Sequence, residues 1–161
     1  MDERLEKLGK LKEKGIHPYP YGYDRTHRFT EIIKEYERLN ESGEIVRSCG
    51  RIMTIRGHGK TSVLTLGDER GSLQVYLRQD ELHDQFDQQK LCDIGDIIGV
   101  QGTVFKTRSG EITILVKNFT LLCKALRPLP VLWHGLKDVE IRYRKRYVDL
   151  IANPAVRDFF T

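Results

Sequence analysis

Over most of residues 44–123 apolar residues recur at every second position, which is the period of a β-strand. Turn residues and one polar segment divide this region into five predicted strands: 45–56, 61–67, 72–78, 96–106 and 111–123. Gly50 interrupts the first of them and predicts a bend or bulge there. The polar segment, residues 80–91, has apolar residues at helical spacing and lies between the third and fourth strands. This order is that of a five-stranded OB barrel. A β-sandwich, with about seven strands and no inserted helix, fits less well.

The residues before the barrel are predicted to be helical. Leu5, Leu8 and Leu11 form an apolar stripe at helical spacing, and Gly15 would end that helix. Thr30 would cap a second helix that reaches about Leu39. We therefore expect a mainly β fold, an OB-fold Greek-key barrel with N-terminal helices and a short basic C-terminal extension. The expected parts are a helical lead-in and linker (1–43), the barrel (44–123) and a C-terminal bridge (124–161).

The positive charge of the chain is concentrated in one segment. Residues 124–147 hold seven Lys or Arg and two Asp or Glu, a balance of +5 in a chain whose net charge is +4. Such a concentration favours a polyanion or an acidic partner surface. A solvated helix face remains the alternative interpretation.

Several classes of protein are excluded by the sequence. No apolar run approaches the ~18 residues of a membrane span, and the N-terminus lacks the apolar region of a signal peptide. Cys49, Cys92 and Cys123 show no C-x-x-C spacing, and the histidines show no ligand spacing. We therefore predict reduced thiols, no metal site, no association with membranes and a cytoplasmic location.

No catalytic constellation stands out. The run from Gly57 to Ser62 resembles the end of a phosphate-binding loop, but Thr54 stands where that motif needs a glycine. The residues that follow have the pattern of a strand rather than a helix, so the run is predicted to be a hairpin turn. We predict no catalytic residue in the chain.

The alternation in the second and third strands predicts which side chains face outward. Leu64 and Leu66, with Leu73, Val75 and Leu77, should fill the barrel, whereas Ser62, Val63 and Thr65 fall elsewhere. Val63, Gln74 and Tyr76 are thereby placed on the outer face, where OB-folds bind oligonucleotides.

A candidate binding group lies on this outer face. Arg56 offers the charged N–H donors of a guanidinium group, Gln74 offers both a donor and an acceptor, and Glu111 offers an acceptor. Tyr76 lies beside them. Such groups can read the edges of unstacked bases in a single strand. Arg51, Lys60 and Tyr76 are candidates for additional contacts, including phosphate contacts. A polar barrel face without a binding function is the alternative.

Several strings, in order along essentially the whole chain, resemble those of class II lysyl-tRNA synthetases. They are Gly15-Ile16-His17-Pro18-Tyr19-Pro20, Arg25-Thr26-His27, Gly50-Arg51-Ile52-Met53-Thr54, Leu73-Gln74-Val75-Tyr76, Phe105-Lys106-Thr107-Arg108-Ser109-Gly110-Glu111, Lys124-Ala125-Leu126-Arg127-Pro128-Leu129-Pro130, His134-Gly135-Leu136 and Arg142-Tyr143-Arg144-Lys145-Arg146-Tyr147-Val148-Asp149-Leu150-Ile151. Aspartyl- and asparaginyl-tRNA synthetases share the barrel, but the Pro-Tyr-Pro and Arg-Thr-His strings point to the lysine enzymes.

The resemblance implies a function for the barrel. In that family the barrel recognises the uridine-rich lysine anticodon, and Arg56 and Gln74 match residues that bind the central uridine. Glu111 matches an acid near the anticodon, and Val63 stands where the family usually has a phenylalanine that stacks on that base.

The resemblance also implies a larger parent enzyme, a homodimer that uses ATP and Mg²⁺ to attach lysine to its tRNA. Residues 124–161 would then be the bridge into a class II catalytic domain and its first residues. The chain itself would bind no cofactor and would be inactive alone. The alternatives are a free-standing OB module for single-stranded nucleic acid, the anticodon domain of an aspartyl- or asparaginyl-tRNA synthetase, and a structural or dimerisation role.

Overall fold

The computed structural model describes residues 2–129 and 139–160, which form two compact units, Met1–Leu126 and Arg127–Thr161. The helices and strands of the first unit are α1 (Asp2–Glu13), α2 (Phe29–Lys34), α3 (Tyr36–Ser42), β1 (Val46–His58), β2 (Thr61–Gly67), β3 (Ser72–Arg78), α4 (Gln79–Leu82), α5 (Asp84–Gln89), β4 (Ile97–Lys106) and β5 (Ile112–Cys123). The second unit contains α6 (Val139–Arg144), α7 (Arg146–Ala152) and α8 (Pro154–Phe160). The His134-Gly135-Leu136 string and Lys137 lie outside the described residues.

The five strands close into a barrel in the order β1-β2-β3-β5-β4, with β4 pairing back to β1. All pairs are antiparallel except β3 and β5, which run parallel over Gln74–Tyr76 and Thr113–Leu115. This confirms the expected five-stranded OB barrel with N-terminal helices.

The barrel interior is built from the aliphatic faces that the alternation predicts. Leu64, Leu66, Val75 and Leu77 are fully buried, and Leu73 is nearly so. The expectation for Ser62 was wrong: it is 3% exposed and lies on the same face as Leu64, because residues two positions apart on a strand share a face.

A β-bulge in β1 decides which way Arg56 points. The pairing of β1 with β2 shifts register between Ile52 and Thr54. Before the bulge the even-numbered positions up to Ile52 are buried; after it Ile55 packs against the core, and Thr54 and Arg56 are exposed. A one-residue shift exchanges the two faces of a strand, so the bulge places Arg56 on the outside of the barrel.

The bulge was expected at Gly50, but that glycine has a different role. A Cβ at position 50 would lie 2.8 Å from two ring carbons of Phe29 and 2.9 Å from the carbonyl oxygen of Gly67. Gly50 therefore allows the N-terminal helical segment to pack closely on the barrel.

Two of the predicted helices, the one before β1 and the one between β3 and β4, are each divided into two short helices. α2 begins at Phe29 rather than after a Thr30 cap, and the Glu31 carboxylate accepts a hydrogen bond from the Arg28 amide at 2.6 Å. Between β3 and β4, His83 has a positive φ of 49° and separates α4 from α5. None of the helices in residues 2–129 and 139–160 has the length and apolar character that a membrane span requires.

A buried ionic cluster holds the N-terminal helix and the end of β5 to the barrel. The Lys124 side chain is 0% exposed and contacts Asp93 at 2.6 Å and Asp96 at 2.8 Å. Lys7 of α1 donates to Asp93 at 2.7 Å. Burial opposes ionisation of Asp93, but the hydrogen bonds from Lys124 and Lys7 outweigh it and hold the pKa of that carboxyl below its usual value.

Much of the basic C-terminal charge is neutralised within the fold. Lys124 belongs to the buried cluster of the barrel unit. In the second unit, Arg142 and Arg146 contact the buried carboxylate of Asp149 at 3.0 and 2.5 Å, and Arg144 pairs with Glu140 at 2.8 Å. These contacts favour structural and solvated roles for the basic segment over polyanion binding.

Candidate nucleic-acid interface

Strand pairing aligns the outward side chains of the barrel in two neighbouring rows. The first row is Arg56, Val63 and Tyr76, and the second is Thr65, Gln74, Thr113 and Phe105. Each row crosses the barrel face from strand to strand. Side chains that are distant in sequence therefore become direct neighbours on one surface.

Arg56, Gln74 and Glu111 lie together in an open cleft of about 570 Å³, here called the polar cleft. Thr65, Ser72 and Ser109 also line it, as does Ile33 of α2. Arg56 and Glu111 are exposed, and neither makes an ion pair with any residue that the structure describes. A cation, an amide and a carboxylate are thus available to one ligand, as base recognition requires.

A second cleft, of about 310 Å³, adjoins the first and is here called the aromatic cleft. It is lined by Val63, Gln74, Tyr76, Phe105, Thr107, Arg108 and Thr113. The rings of Tyr76 and Phe105 meet edge to face, with centroids 6.3 Å apart and planes inclined at 65°. Gln74 lines both clefts, so a single base can meet its amide and the aromatic cleft together.

The orientation of the Gln74 amide is set by Thr113. The Thr113 hydroxyl donates to Gln74 Oε1 at 3.0 Å, with the Glu111 carbonyl as a more distant acceptor at 3.3 Å, and Thr113 is only 1% exposed. The amide nitrogen has no hydrogen-bond partner within the described residues, so it remains available as a donor. Gln74 Oε1 keeps a second lone pair with which it can accept.

The turn between β4 and β5 supplies residues to both clefts. Thr107 and Glu111 close it through a hydrogen bond from the Thr107 amide to the Glu111 carbonyl at 2.9 Å. Gly110 has a φ of 88°, a conformation that favours glycine. Ser109 and Glu111 consequently line the polar cleft, and Thr107 and Arg108 line the aromatic cleft.

Two of the predicted site residues lie apart from the clefts. Arg51 donates to the Gly95 carbonyl at 2.8 Å, a contact that fastens β1 to the segment before β4. Lys60 follows Gly59, whose φ is 59°, in the two-residue turn between β1 and β2. Neither residue lines the polar or the aromatic cleft.

Four residues of the aromatic cleft were not predicted as site residues from the sequence: Phe105, Thr107, Arg108 and Thr113. The alternation around Phe105 was an available signal, because Val104 beside it is buried. The position of Arg108 depends on the turn, and that of Thr113 on the parallel pairing of β3 with β5. The periodicity of the sequence indicates neither of these two positions.

Potential metal ligands and thiols are the other reactive groups of the described residues. No group of three or more His, Cys, Asp or Glu among them could hold a metal ion. The three cysteines are free thiols, and burial raises the pKa of Cys92 to about 12. That thiol stays protonated at neutral pH and is a poor nucleophile.

Comparison with known proteins agrees with the barrel fold. Residues 46–122 match the tRNA anticodon family of OB-fold nucleic acid binding domains. The lysine–tRNA ligase of Carboxydothermus hydrogenoformans is 52% identical over 158 residues, 98% of this chain and 32% of that protein. The ligases of Moorella thermoacetica and Fervidobacterium nodosum are 51% and 46% identical over 164 and 156 residues.

The extent of these matches defines what is shared. They cover 99% and 94% of this chain for the second and third ligases, and 32% and 30% of those proteins. The chain thus spans about a third of the length of the curated relatives it matches. Residues 46–122 form an OB-fold domain of the tRNA anticodon-binding family, and nearly the whole chain is homologous to lysine–tRNA ligases.

Proposed function

We propose that the outer face of the barrel binds the anticodon of a lysine tRNA, as the anticodon-binding part of a lysine–tRNA ligase. The observation that carries this proposal is the convergence of Arg56, Gln74 and Glu111 in the polar cleft. The match to lysine–tRNA ligases supports lysine tRNA as the partner.

The chemistry of the cleft suits a uridine. Uracil presents an N3–H donor between two carbonyl acceptors, and the Gln74 amide can donate from Nε2 while Oε1 accepts. Arg56 adds a charged donor for a carbonyl oxygen or a neighbouring phosphate. Glu111 can accept from a base N–H or a ribose hydroxyl. In this proposal Arg56 and Gln74 hold the central uridine, Val63 contacts its face, and Glu111 lies beside an adjoining nucleotide.

For the whole ligase we propose a class II, ATP- and Mg²⁺-dependent enzyme that acts in the cytoplasm as a homodimer. In this proposal ATP and Mg²⁺ are cofactors of the whole ligase and not of this chain. The catalytic activity would belong to the whole enzyme and not to these residues alone. Within the chain, the proposed parts are the lead-in at 1–43, the anticodon domain at 44–123 and the bridge at 124–161.

The test compares binding of the chain to lysine tRNA and to the same tRNA with its anticodon changed. Arg56→Ala and Gln74→Ala should each weaken binding of the lysine anticodon by ~1–3 kcal/mol, the loss expected for a base contact. Arg47→Ala is the matched control, because Arg47 is an exposed arginine on the same strand that lines neither cleft.

The outcomes separate the competing functions. Losses confined to the lysine anticodon support the proposal. Equal losses on both tRNAs would show contacts with the backbone alone, as in a free-standing OB module for single strands. Self-association without any tRNA binding would point to a structural or dimerisation role.

A further inference from the structure

The aromatic cleft stands open beside Val63. Valine offers a base apolar contact but no ring on which to stack. The lining of the cleft, however, includes the rings of Tyr76 and Phe105, which come from β3 and β4. An aromatic surface for a base is therefore present on this face, although position 63 does not supply it.

Only one of these two rings can lie parallel to the same base, because their planes are inclined at 65°. The strand pairing favours Phe105 as the ring that lies parallel to the base. Gln74, Thr113 and Phe105 are consecutive members of one cross-strand row, and Thr113 between them is small and 1% exposed. The Gln74 amide and the Phe105 ring therefore line the same cleft, with the covered Thr113 between them in the row.

We propose that Phe105 is the residue on which the base held by Gln74 stacks. Tyr76 packs edge-on against the Phe105 ring and holds it in place. Arg108, exposed at the mouth of the same cleft, contacts the nucleotide from the β4–β5 turn. This inference rests on the proposed anticodon binding and adds a base-contacting residue to it.

Phe105→Leu tests the proposal, since leucine keeps apolar bulk at a half-buried site and removes the ring. The probe is an RNA stem-loop with uridine at every anticodon position, titrated against the 161-residue chain. Stacking on an aromatic ring is worth ~1–3 kcal/mol per base, so the dissociation constant should rise roughly 5- to 150-fold. Phe105→Tyr should keep the affinity, because it keeps the ring.

Two controls separate stacking from a general loss of structure. Tyr21→Leu removes a fully exposed aromatic ring that lines neither cleft and should leave binding unchanged. Stem-loops with an abasic nucleotide at each anticodon position in turn supply the second control. One of these three RNAs lacks the base that Gln74 contacts, and with it Gln74→Ala should no longer weaken binding. With that same RNA Phe105→Leu should also have no effect, whereas it should still weaken binding of the other two.

Unchanged binding by Phe105→Leu would overturn the proposal. A penalty that persists with all three abasic RNAs would also overturn it, because Phe105 would then act through the fold or the backbone. These results differ from a failure of the proposed function, in which Gln74→Ala itself would show no dependence on the anticodon.

Discussion

Thr113→Val should relax the choice between uridine and cytidine at the base that Gln74 contacts. Uracil presents an N3–H donor beside the O4 acceptor, whereas cytosine presents the N3 acceptor beside an amino donor. An amide in a single orientation can match only one of these patterns. In the structure the Thr113 hydroxyl favours one orientation, because it donates to Gln74 Oε1 at 3.0 Å and the competing Glu111 carbonyl is farther away at 3.3 Å.

The magnitude follows from that hydrogen bond. A neutral hydrogen bond contributes about 0.5–1.5 kcal/mol net, which limits the free energy that favours one amide orientation. The preference for uridine over cytidine should therefore fall by roughly 2- to 12-fold. Stability should change little, because valine has nearly the same shape and Gln74 is only half-buried, so water can satisfy its oxygen.

The assay is the ratio of dissociation constants for two stem-loops that differ only by uridine or cytidine at the central anticodon position. Thr113→Ser keeps the hydroxyl and should keep the ratio. Thr120→Val makes the same change at an exposed position of β5 outside both clefts and should also keep it. An unchanged ratio for Thr113→Val, or equal weakening of both RNAs, would refute the role given to the hydroxyl.

The remaining predictions concern the buried ionic cluster and position 63. Lys124→Met should lower the free energy of unfolding by about 3–5 kcal/mol, because buried Asp96 loses its cation, in urea titrations followed by circular dichroism. Lys10→Met, which removes only an exposed pair, should cost less than about 1 kcal/mol; equal costs would contradict a special role for burial. Val63→Phe should leave binding of the uridine stem-loop unchanged or weaker, because its ring would enter the aromatic cleft; tighter binding would show that the place is vacant.

The barrel could be predicted from the sequence because its signals are local. Alternation at two-residue spacing identified the strands and placed Leu64 inside and Gln74 outside, since adjacent residues of a strand face opposite sides. The errors were also local. The bulge falls at Ile52–Thr54 instead of Gly50, and Ser62 lies inside, because a small polar residue gives a weak signal of burial.

The candidate site could be predicted only in part. Arg56, Gln74 and Glu111 were indicated by their chemistry and by family resemblance, and the structure brings them into one cleft. The outward direction of Arg56 depends on the bulge, which fixes the phase of the strand after it. No pattern in β1 by itself specifies where that extra residue is inserted.

The sequence alone determined the number of strands, their order along the chain and the outward position of Gln74. Only the tertiary structure decided that Thr113, 39 residues away, orients its amide, that Phe105 faces the same cleft, and that Lys124 is buried. The physical reason is that alternation depends on neighbours in the chain. Which strands meet, and in which register, depends instead on closing the whole barrel around one core.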